Sequence, residues 1–293
     1  MSFRRGAAAV LVAVLVTAGC GTPAADDGGE PEIGDVPVIA DASDLKLPVQ
    51  DYMPTPEQAK RIGVAQIELI KRCMARFGKA YDVDPVDGDA YGPRSLTDRR
   101  YGITDLELAR ADGYGLGDRD PARQPEAKRP ALDADAETVL GGDGRSEVNG
   151  QKVPEGGCLA EAGRNLNAEI PEGADYRRGT DLQEWSFKKS REDSRVRNAF
   201  VAWSRCMAEA GYSYADPFAP AGDPAFAEGK ASAQETAVAV ADVGCKQRTN
   251  LVGIFYTVES AYQTREIDKE SNNFDATLDA IAARDRVAAA ALS

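Results

Sequence analysis

The 293-residue sequence contains no histidine, and this absence restricts the chemistry open to its side chains. A Ser–His–Asp triad, a Cys–His pair, a zinc site with histidine ligands and an imidazole pH switch are all excluded within one chain. Any catalysis would therefore depend on carboxylates, lysine, tyrosine or a metal bound by carboxylates.

The densest group of potential metal ligands is the run DVDPVDGD, which contains Asp82, Asp84, Asp87 and Asp89. Calcium prefers several carboxylate oxygens, so this run is the candidate calcium loop of the chain. It departs from the EF-hand pattern because Val86 stands at a ligand position and the glycine comes one residue late. The alternative is that this run is a solvated acidic turn after a helix. For the chain as a whole we expect no cofactor.

Two carboxylates would suffice for a glycosidase of the lysozyme type, which can be all-helical. Glu209, close to Tyr212, and Glu161 are the candidates for the catalytic acid, but spacing marks out no second acid for either. Most acidic residues fall in loops or on polar helix faces, where solvent keeps them ionised. The sequence therefore favours a protein without catalysis.

The aromatic residues offer a different chemistry, which is the stacking of a sugar ring. Trp185 and Trp203 lie in one predicted helix, where helical spacing is more typical of core residues than of a sugar platform. Tyr212 and Tyr214 are better placed to be exposed, although a packed aromatic turn is the favoured interpretation.

The N-terminus has the order of a secretory signal, with Arg4 and Arg5 before a short apolar run at residues 7–16. The run TAGC at residues 17–20 follows, and it resembles the lipobox of bacterial lipoproteins, with Thr17 where Leu is commoner. The resemblance implies diacylation of the Cys20 thiol, cleavage before Cys20 and acylation of the new amino group. The alternative is an ordinary signal peptide that leaves Cys20 as a free thiol.

Residues 20–44 are rich in Gly, Pro and acids, a composition typical of a disordered tether. We therefore divide the chain into a signal peptide at 1–19, a tether at 20–44 and a helical domain at 45–293. Without residues 1–19 the chain would carry 33 basic and 48 acidic residues. This net negative charge argues against binding to nucleic acid and against adsorption to anionic lipid. From the signal and the lipobox we expect an extracytoplasmic protein that contacts the membrane through the Cys20 lipid.

Four further cysteines are expected to form two disulfides, because an even number outside the cytoplasm favours pairing. Cys73 and Cys206 both begin a C-M-A-x-x-G run at a helix end, whereas Cys158 and Cys245 lie in helices that follow long loops. Pairing each with the next selects Cys73–Cys158 and Cys206–Cys245 from three connectivities. The alternatives are four buried free thiols, or a zinc site made by all four cysteines, for which no C-x-x-C pair exists.

Apolar residues at steps of three and four predict a mainly α fold. The longest predicted helix covers residues 181–211 with Thr180 as its N-cap, and a second long apolar face covers residues 237–262. The dipeptide at residues 149–150, Asn-Gly, predicts a small β-hairpin. The expected domain is helical and disulfide-tied, with long loops and two halves at about 45–175 and 176–293.

Helix starts are predicted at three capping boxes, which begin at Thr55, Thr104 and Ser232. Four further runs stand out, which are CMARFG at 73–78, RYGI at 100–103, VPEGGC at 153–158 and WSRCM at 203–207. Through these runs the chain resembles a broad group of uncharacterised actinobacterial lipoproteins. The resemblance implies export and anchoring but brings no activity and no site residues.

Two functions remain open on the sequence alone. The first is a non-enzymatic binding or assembly module of the cell envelope, whose partner would be an envelope protein or a glycan. The alternative is a carboxylate-based glycosidase that acts on cell-wall glycan.

Overall fold

The computed structural model describes residues 29–84, 90–123, 131–226 and 230–293. The chain divides into a short unit, Met1–Glu30, and a compact unit, Pro31–Ser293. The compact unit is mainly α-helical, as predicted, and its described residues include one two-stranded hairpin. No helix in the described ranges is both long and apolar enough to span a lipid bilayer.

The helices follow one another with loops of varied length. They are α1 Pro56–Arg76, α2 Leu106–Asp112, α3 Ala134–Gly141, α4 Gly157–Leu166, α5 Arg178–Glu192, α6 Ser194–Glu209, α7 Ala233–Thr249, α8 Leu251–Lys269 and α9 Ser271–Leu292. The strands β1 Glu147–Val148 and β2 Gln151–Lys152 lie between α3 and α4. Short 3-10 turns, among them Pro48–Tyr52, connect the other elements.

The predicted capping box of α1 is confirmed. Thr55 Oγ1 accepts a hydrogen bond from the Gln58 backbone N–H at 3.3 Å, and Gln58 Oε1 accepts one from the Thr55 N–H at 2.9 Å. These bonds satisfy two of the N–H groups that a helix start leaves without partners.

The capping box predicted at Thr104 is wrong by one residue. Asp105 is the N-cap of α2, and its Oδ1 accepts from the Glu107 N–H at 2.9 Å. Thr104 Oγ1 instead accepts from the Ala42 N–H at 3.0 Å, so a tertiary contact takes the hydroxyl that the local pattern assigned to the helix.

The long helix predicted at residues 181–211 is wrong, because α5 and α6 are separate helices. Asp193 has extended backbone angles, φ −64° and ψ 138°, and its Oδ1 accepts from the Arg195 N–H at 2.9 Å as the N-cap of α6. The helix also begins at Arg178, before the predicted cap at Thr180. Asp193 therefore ends one helix and starts the next.

The second long face, predicted at residues 237–262, is broken in the same way. Asn250 adopts a left-handed conformation with φ 48° between α7 and α8. Its side chain accepts from the Ile39 N–H at 3.2 Å and donates to the Pro37 carbonyl at 2.9 Å. Asn250 therefore divides the helices and binds an earlier segment of the chain.

That segment, residues 31–47, is here called the N-terminal strap. The sequence placed residues 31–44 in the tether, but in the structure they lie against the helices. Ile39 and Ala42 are buried in the main core, and Arg195 Nη1 donates to the Pro31 carbonyl at 2.8 Å. The strap has few apolar residues to bury, but hydrogen bonds of its backbone also hold it against the helices at several points.

The core does not divide at residue 175. The largest cluster comes from α6, α7 and α8 and contains Trp203 and Phe255. Helix α9, from the second predicted half, packs on α1 through a cluster that contains Ile62 and Ala288. Helix α2, from the first half, packs on α7. The two predicted halves thus share their cores.

The two disulfides have the predicted connectivity. Cys73–Cys158 joins α1 to α4, and Cys206–Cys245 joins α6 to α7, each with a Cα–Cα distance of 5.6 Å. The predicted hairpin also forms, with Glu147 opposite Lys152. Its turn residue Asn149 donates to the Phe77 carbonyl at 2.8 Å, so the hairpin covers the C-terminal end of α1.

Candidate functional site

A cavity of about 400 Å³ opens at the meeting point of α5, the end of α8 and the start of α9. We call it the α5–α9 cavity. Its lining residues combine aromatic rings, carboxylates and one guanidinium: Asp175, Arg178, Asp181, Leu182, Trp185, Glu266, Glu270 and Phe274. Pockets that combine apolar walls with a few polar groups are where proteins most often bind small ligands.

One face of α5 supplies half of the lining. Arg178, Asp181, Leu182 and Trp185 follow one another at intervals of three, one and three residues, which places them on one side of the helix. On the opposite wall, Glu266, Glu270 and Phe274 recur every four residues across the junction of α8 and α9.

Arg178 already fills part of the α5–α9 cavity. Its Nη1 donates to Glu270 Oε2 at 2.5 Å, and its guanidinium carbon lies 5.8 Å from the centre of the Phe274 ring. Its Nε is buried and has no hydrogen-bond partner among the residues that the structure describes. A carboxylate and an aromatic ring together therefore hold one cation of the chain in the cavity.

Asp181 and Glu266 have longer ion pairs. Arg177 lies 3.9 Å from Asp181, while Arg265 and Lys269 lie 3.7 Å and 3.8 Å from Glu266. These distances exceed hydrogen-bonding range, so these cations act on Asp181 and Glu266 through Coulomb attraction and not through hydrogen bonds.

The two tryptophans differ in position. Trp203 is fully buried, and its Nε1 donates to Asp242 Oδ1 at 2.8 Å, which confirms the core interpretation for this residue. Trp185 is half-buried, lines the α5–α9 cavity and meets Tyr262 edge-on at 6.0 Å. Of the pair, Trp185 is the one that can contact a ligand.

Asp242 and Lys246 form a buried ion pair that the sequence analysis missed. Lys246 Nζ donates to Asp242 Oδ2 and to the Ile103 carbonyl, each at 3.0 Å. Burial raises the pKa of Asp242 and lowers the pKa of Lys246 because both charges are removed from water. The only local signal was the spacing of four residues on α7, which is common on exposed faces too.

A second buried network surrounds Glu259 on α8, and it was also missed. Glu259 receives hydrogen bonds from Arg100 and Tyr101, the latter at 2.9 Å, and from Ser186 at 3.2 Å. Gln263 extends the network by accepting from the Val49 N–H at 3.1 Å. These partners satisfy the carboxylate, so the network is a structural contact that joins the loop before α2, which contains Arg100 and Tyr101, to α5 and α8.

The catalytic acids proposed from the sequence lie away from the cavity. Glu161 on α4 is bound by Arg76 at 2.7 Å, and Glu209 is exposed at the end of α6. Neither residue lines the α5–α9 cavity.

The aromatic turn after α6 is packed, as predicted. Tyr212 and Tyr214 contact the main core, and the Tyr214 hydroxyl donates to Asp223 Oδ2 at 2.8 Å. Burial and this carboxylate raise the pKa of Tyr214 to about 12.

The candidate calcium loop is described only in part. Asp82 and Asp84 are exposed, and Asp87 and Asp89 lie outside the described residues, as does Cys20. Within the described ranges, no group of three or more acidic or cysteine side chains is arranged to hold a metal ion. Calcium binding at this loop and lipidation at Cys20 therefore stay predictions.

Comparison with known proteins leaves the geometry as the basis for function. No family model matches the chain, and no curated protein or solved structure does so either. The resemblance to actinobacterial lipoproteins stays a prediction.

Proposed function

We propose that this protein is a lipid-anchored, extracytoplasmic binding protein of the cell envelope that works without catalysis. The observation that carries the proposal is the α5–α9 cavity, where Trp185 and four carboxylates line open space. The anchor is the acylated Cys20, and the binding part is the helical body.

The disulfides support an oxidising location. Cys73–Cys158 and Cys206–Cys245 are both closed, and such bonds persist outside the cytoplasm. Together with the signal-like N-terminus, they favour a protein that acts beyond the membrane.

The positions of the buried acids argue against a glycosidase. A general acid needs a raised pKa and access to the substrate. Asp242 has the raised pKa but is fully buried and held by Trp203 and Lys246. Glu259 is likewise buried and is bound by Arg100.

The binding proposal is tested by crosslinking from the cavity itself. A photoreactive amino acid replaces Asp181, which is exposed in the cavity, and in a matched control it replaces Arg197, which is exposed on α6 outside it. The full-length protein in its own envelope is irradiated, and the attached peptidoglycan, glycan and protein fractions are compared.

We expect a reproducible product from position 181 and none in common with position 197. Equal products from both positions would overturn the assignment of the cavity. If the protein turns over cell-wall glycan and Glu266→Gln abolishes that turnover, the protein is a glycosidase and the binding proposal is wrong.

A further inference from the structure

The α5–α9 cavity contains the same chemistry twice. In one part, Phe274 and Glu270 hold the guanidinium of Arg178, with a 2.5 Å hydrogen bond and a 5.8 Å distance to the ring. In the other part, the half-buried ring of Trp185 shares the α5 face with Asp181 and lines the same cavity as Glu266. One aromatic–carboxylate combination is occupied by a cation of the chain, and the second borders open space.

We infer that the ligand of this cavity is an organic cation, an ammonium or guanidinium group on an apolar chain. This inference rests on the proposed binding function and names the ligand class. The cation lies against Trp185, its charge faces Asp181 and Glu266, and its apolar chain contacts Leu182. The arrangement repeats for a ligand what the structure shows for Arg178.

The charges of the cavity favour this ligand over a neutral or anionic one. Four carboxylates and one guanidinium line the cavity, and the guanidinium is neutralised by Glu270. The cations beside Asp181 and Glu266, which are Arg177, Arg265 and Lys269, lie 3.7–3.9 Å away and do not line the cavity. The lining groups alone carry more negative than positive charge, so a cation that enters the cavity gains Coulomb attraction from them and contact with the Trp185 indole, the strongest aromatic partner for a cation.

The ligand class is tested with a pair of probes of the same shape. The full chain in detergent is titrated with n-hexylammonium and, separately, with n-hexanol, and the indole N–H signals of its two tryptophans are followed by NMR. Hexylammonium is expected to shift the Trp185 signal and to leave that of the enclosed Trp203 in place. Hexanol is expected to bind at least tenfold more weakly, and a tenfold ratio of dissociation constants corresponds to about 1.4 kcal/mol of binding free energy.

Variants identify the charges that bind the probe. Asp181→Asn and Glu266→Gln are each expected to weaken hexylammonium binding about three- to fivefold, since partly exposed charge pairs are modest in strength. Glu184→Gln on α5 and Asp268→Asn on α8 are matched controls, because both residues are exposed and do not line the cavity. An unchanged Trp203 signal shows that each variant is folded.

Equal affinity for hexanol and hexylammonium, or equal effects of cavity and control variants, would overturn the cationic ligand. A shift of Trp185 by chitooligosaccharide but not by hexylammonium would also overturn it, while leaving the binding function intact. If neither hexylammonium nor chitooligosaccharide shifts the Trp185 signal, and no crosslink forms from position 181, the binding function itself is overturned.

Discussion

Lys246 Nζ lies 3.0 Å from Asp242 Oδ2, one helical turn apart on α7, and neither side chain reaches solvent. The pair is bound by three further residues, since Asp242 also accepts from Trp203 and Tyr114 and Lys246 donates to the Ile103 carbonyl. Buried ion pairs of this kind add little net stability when both partners are present, but each charge depends on the other.

Lys246→Met should therefore destabilise the protein far more than an exposed lysine change. Removal of one partner leaves an unpaired buried carboxylate, at a cost of about 3–5 kcal/mol in the free energy of unfolding. Lys188→Met, at an exposed position on α5, is the control and should change stability by less than about 0.5 kcal/mol. The double variant Asp242→Asn/Lys246→Met should recover part of the loss in urea unfolding, and simple additivity would contradict the pairing.

The sequence predicted those features of the fold that depend on neighbouring residues. The Thr55 capping box and the Asn149–Gly150 turn needed only local patterns, and the pairing of Cys206 with Cys245 followed from joining each C-M-A-x-x-G cysteine to the next cysteine in the chain. The helix breaks at Asp193 and Asn250 were missed because a polar residue inside a helix costs only about 0.5–0.7 kcal/mol, too little to mark an end. At Asn250 the side chain binds the strap, whereas Asp193 binds the nearby Arg195 and also accepts from the Tyr262 hydroxyl at 3.3 Å.

The sequence suggested a ligand contact for one residue of the candidate site. Trp185 was considered for stacking on a ligand, although a core position was preferred. Glu266 and Phe274 could not be assigned to the same site, because packing of α8 and α9 against α5 brings them to it. Their sequence spacing from Trp185 carries no such information.

Asp193 should make stability depend on pH in the acidic range. Burial opposes its charge, but hydrogen bonds from the Arg195 guanidinium and N–H outweigh that effect and hold the pKa of the carboxyl below its ordinary value. Its contribution is therefore complete above the unfolded-state pKa of about 3.9 and is lost as the pH falls through the lower folded-state pKa.

Asp193→Asn keeps a capping side chain but removes the charge. We expect it to lower the free energy of unfolding by about 1–2 kcal/mol at pH 7, with a smaller difference near pH 3, where the wild-type carboxylate begins to take up protons. Urea unfolding of both proteins at the two pH values measures this change. A difference that grows on acidification would contradict the assigned sign.

The two disulfides should differ in their contribution. Cys73–Cys158 spans 85 residues and Cys206–Cys245 spans 39 residues. Because loop-closure entropy increases with the logarithm of loop length, paired Cys→Ala changes should cost about 0.7 kcal/mol more at the longer loop. Urea unfolding of the two double variants tests the order, and a greater loss at the shorter loop would show that another effect dominates.

Asn250 should control the rate of amide hydrogen exchange in the strap. Asn250→Gly retains the left-handed conformation but removes the hydrogen bond to the Ile39 N–H. Hydrogen exchange at Ile39 should become about fivefold faster, as expected from the loss of about 1 kcal/mol. Asn149→Gly, at the other left-handed asparagine, is the matched control and should leave Ile39 unchanged.

Acylation of Cys20 is tested separately. The full-length protein should incorporate a labelled fatty acid and partition into detergent, and Cys20→Ser should release it or leave the precursor uncleaved. Labelling that persists in Cys20→Ser would remove the lipid anchor from the proposal.

The strap also sets how far the protein can reach. Eleven peptide units separate Cys20 from Pro31, where Arg195 binds the chain. Eleven units can span at most about 40 Å, whereas the length of chain from Cys20 to Leu45 could span about 90 Å. If Cys20 carries the proposed lipid, Pro31 would therefore lie within roughly one bilayer thickness of the membrane surface, and the helical body would bind its ligand from that attachment point.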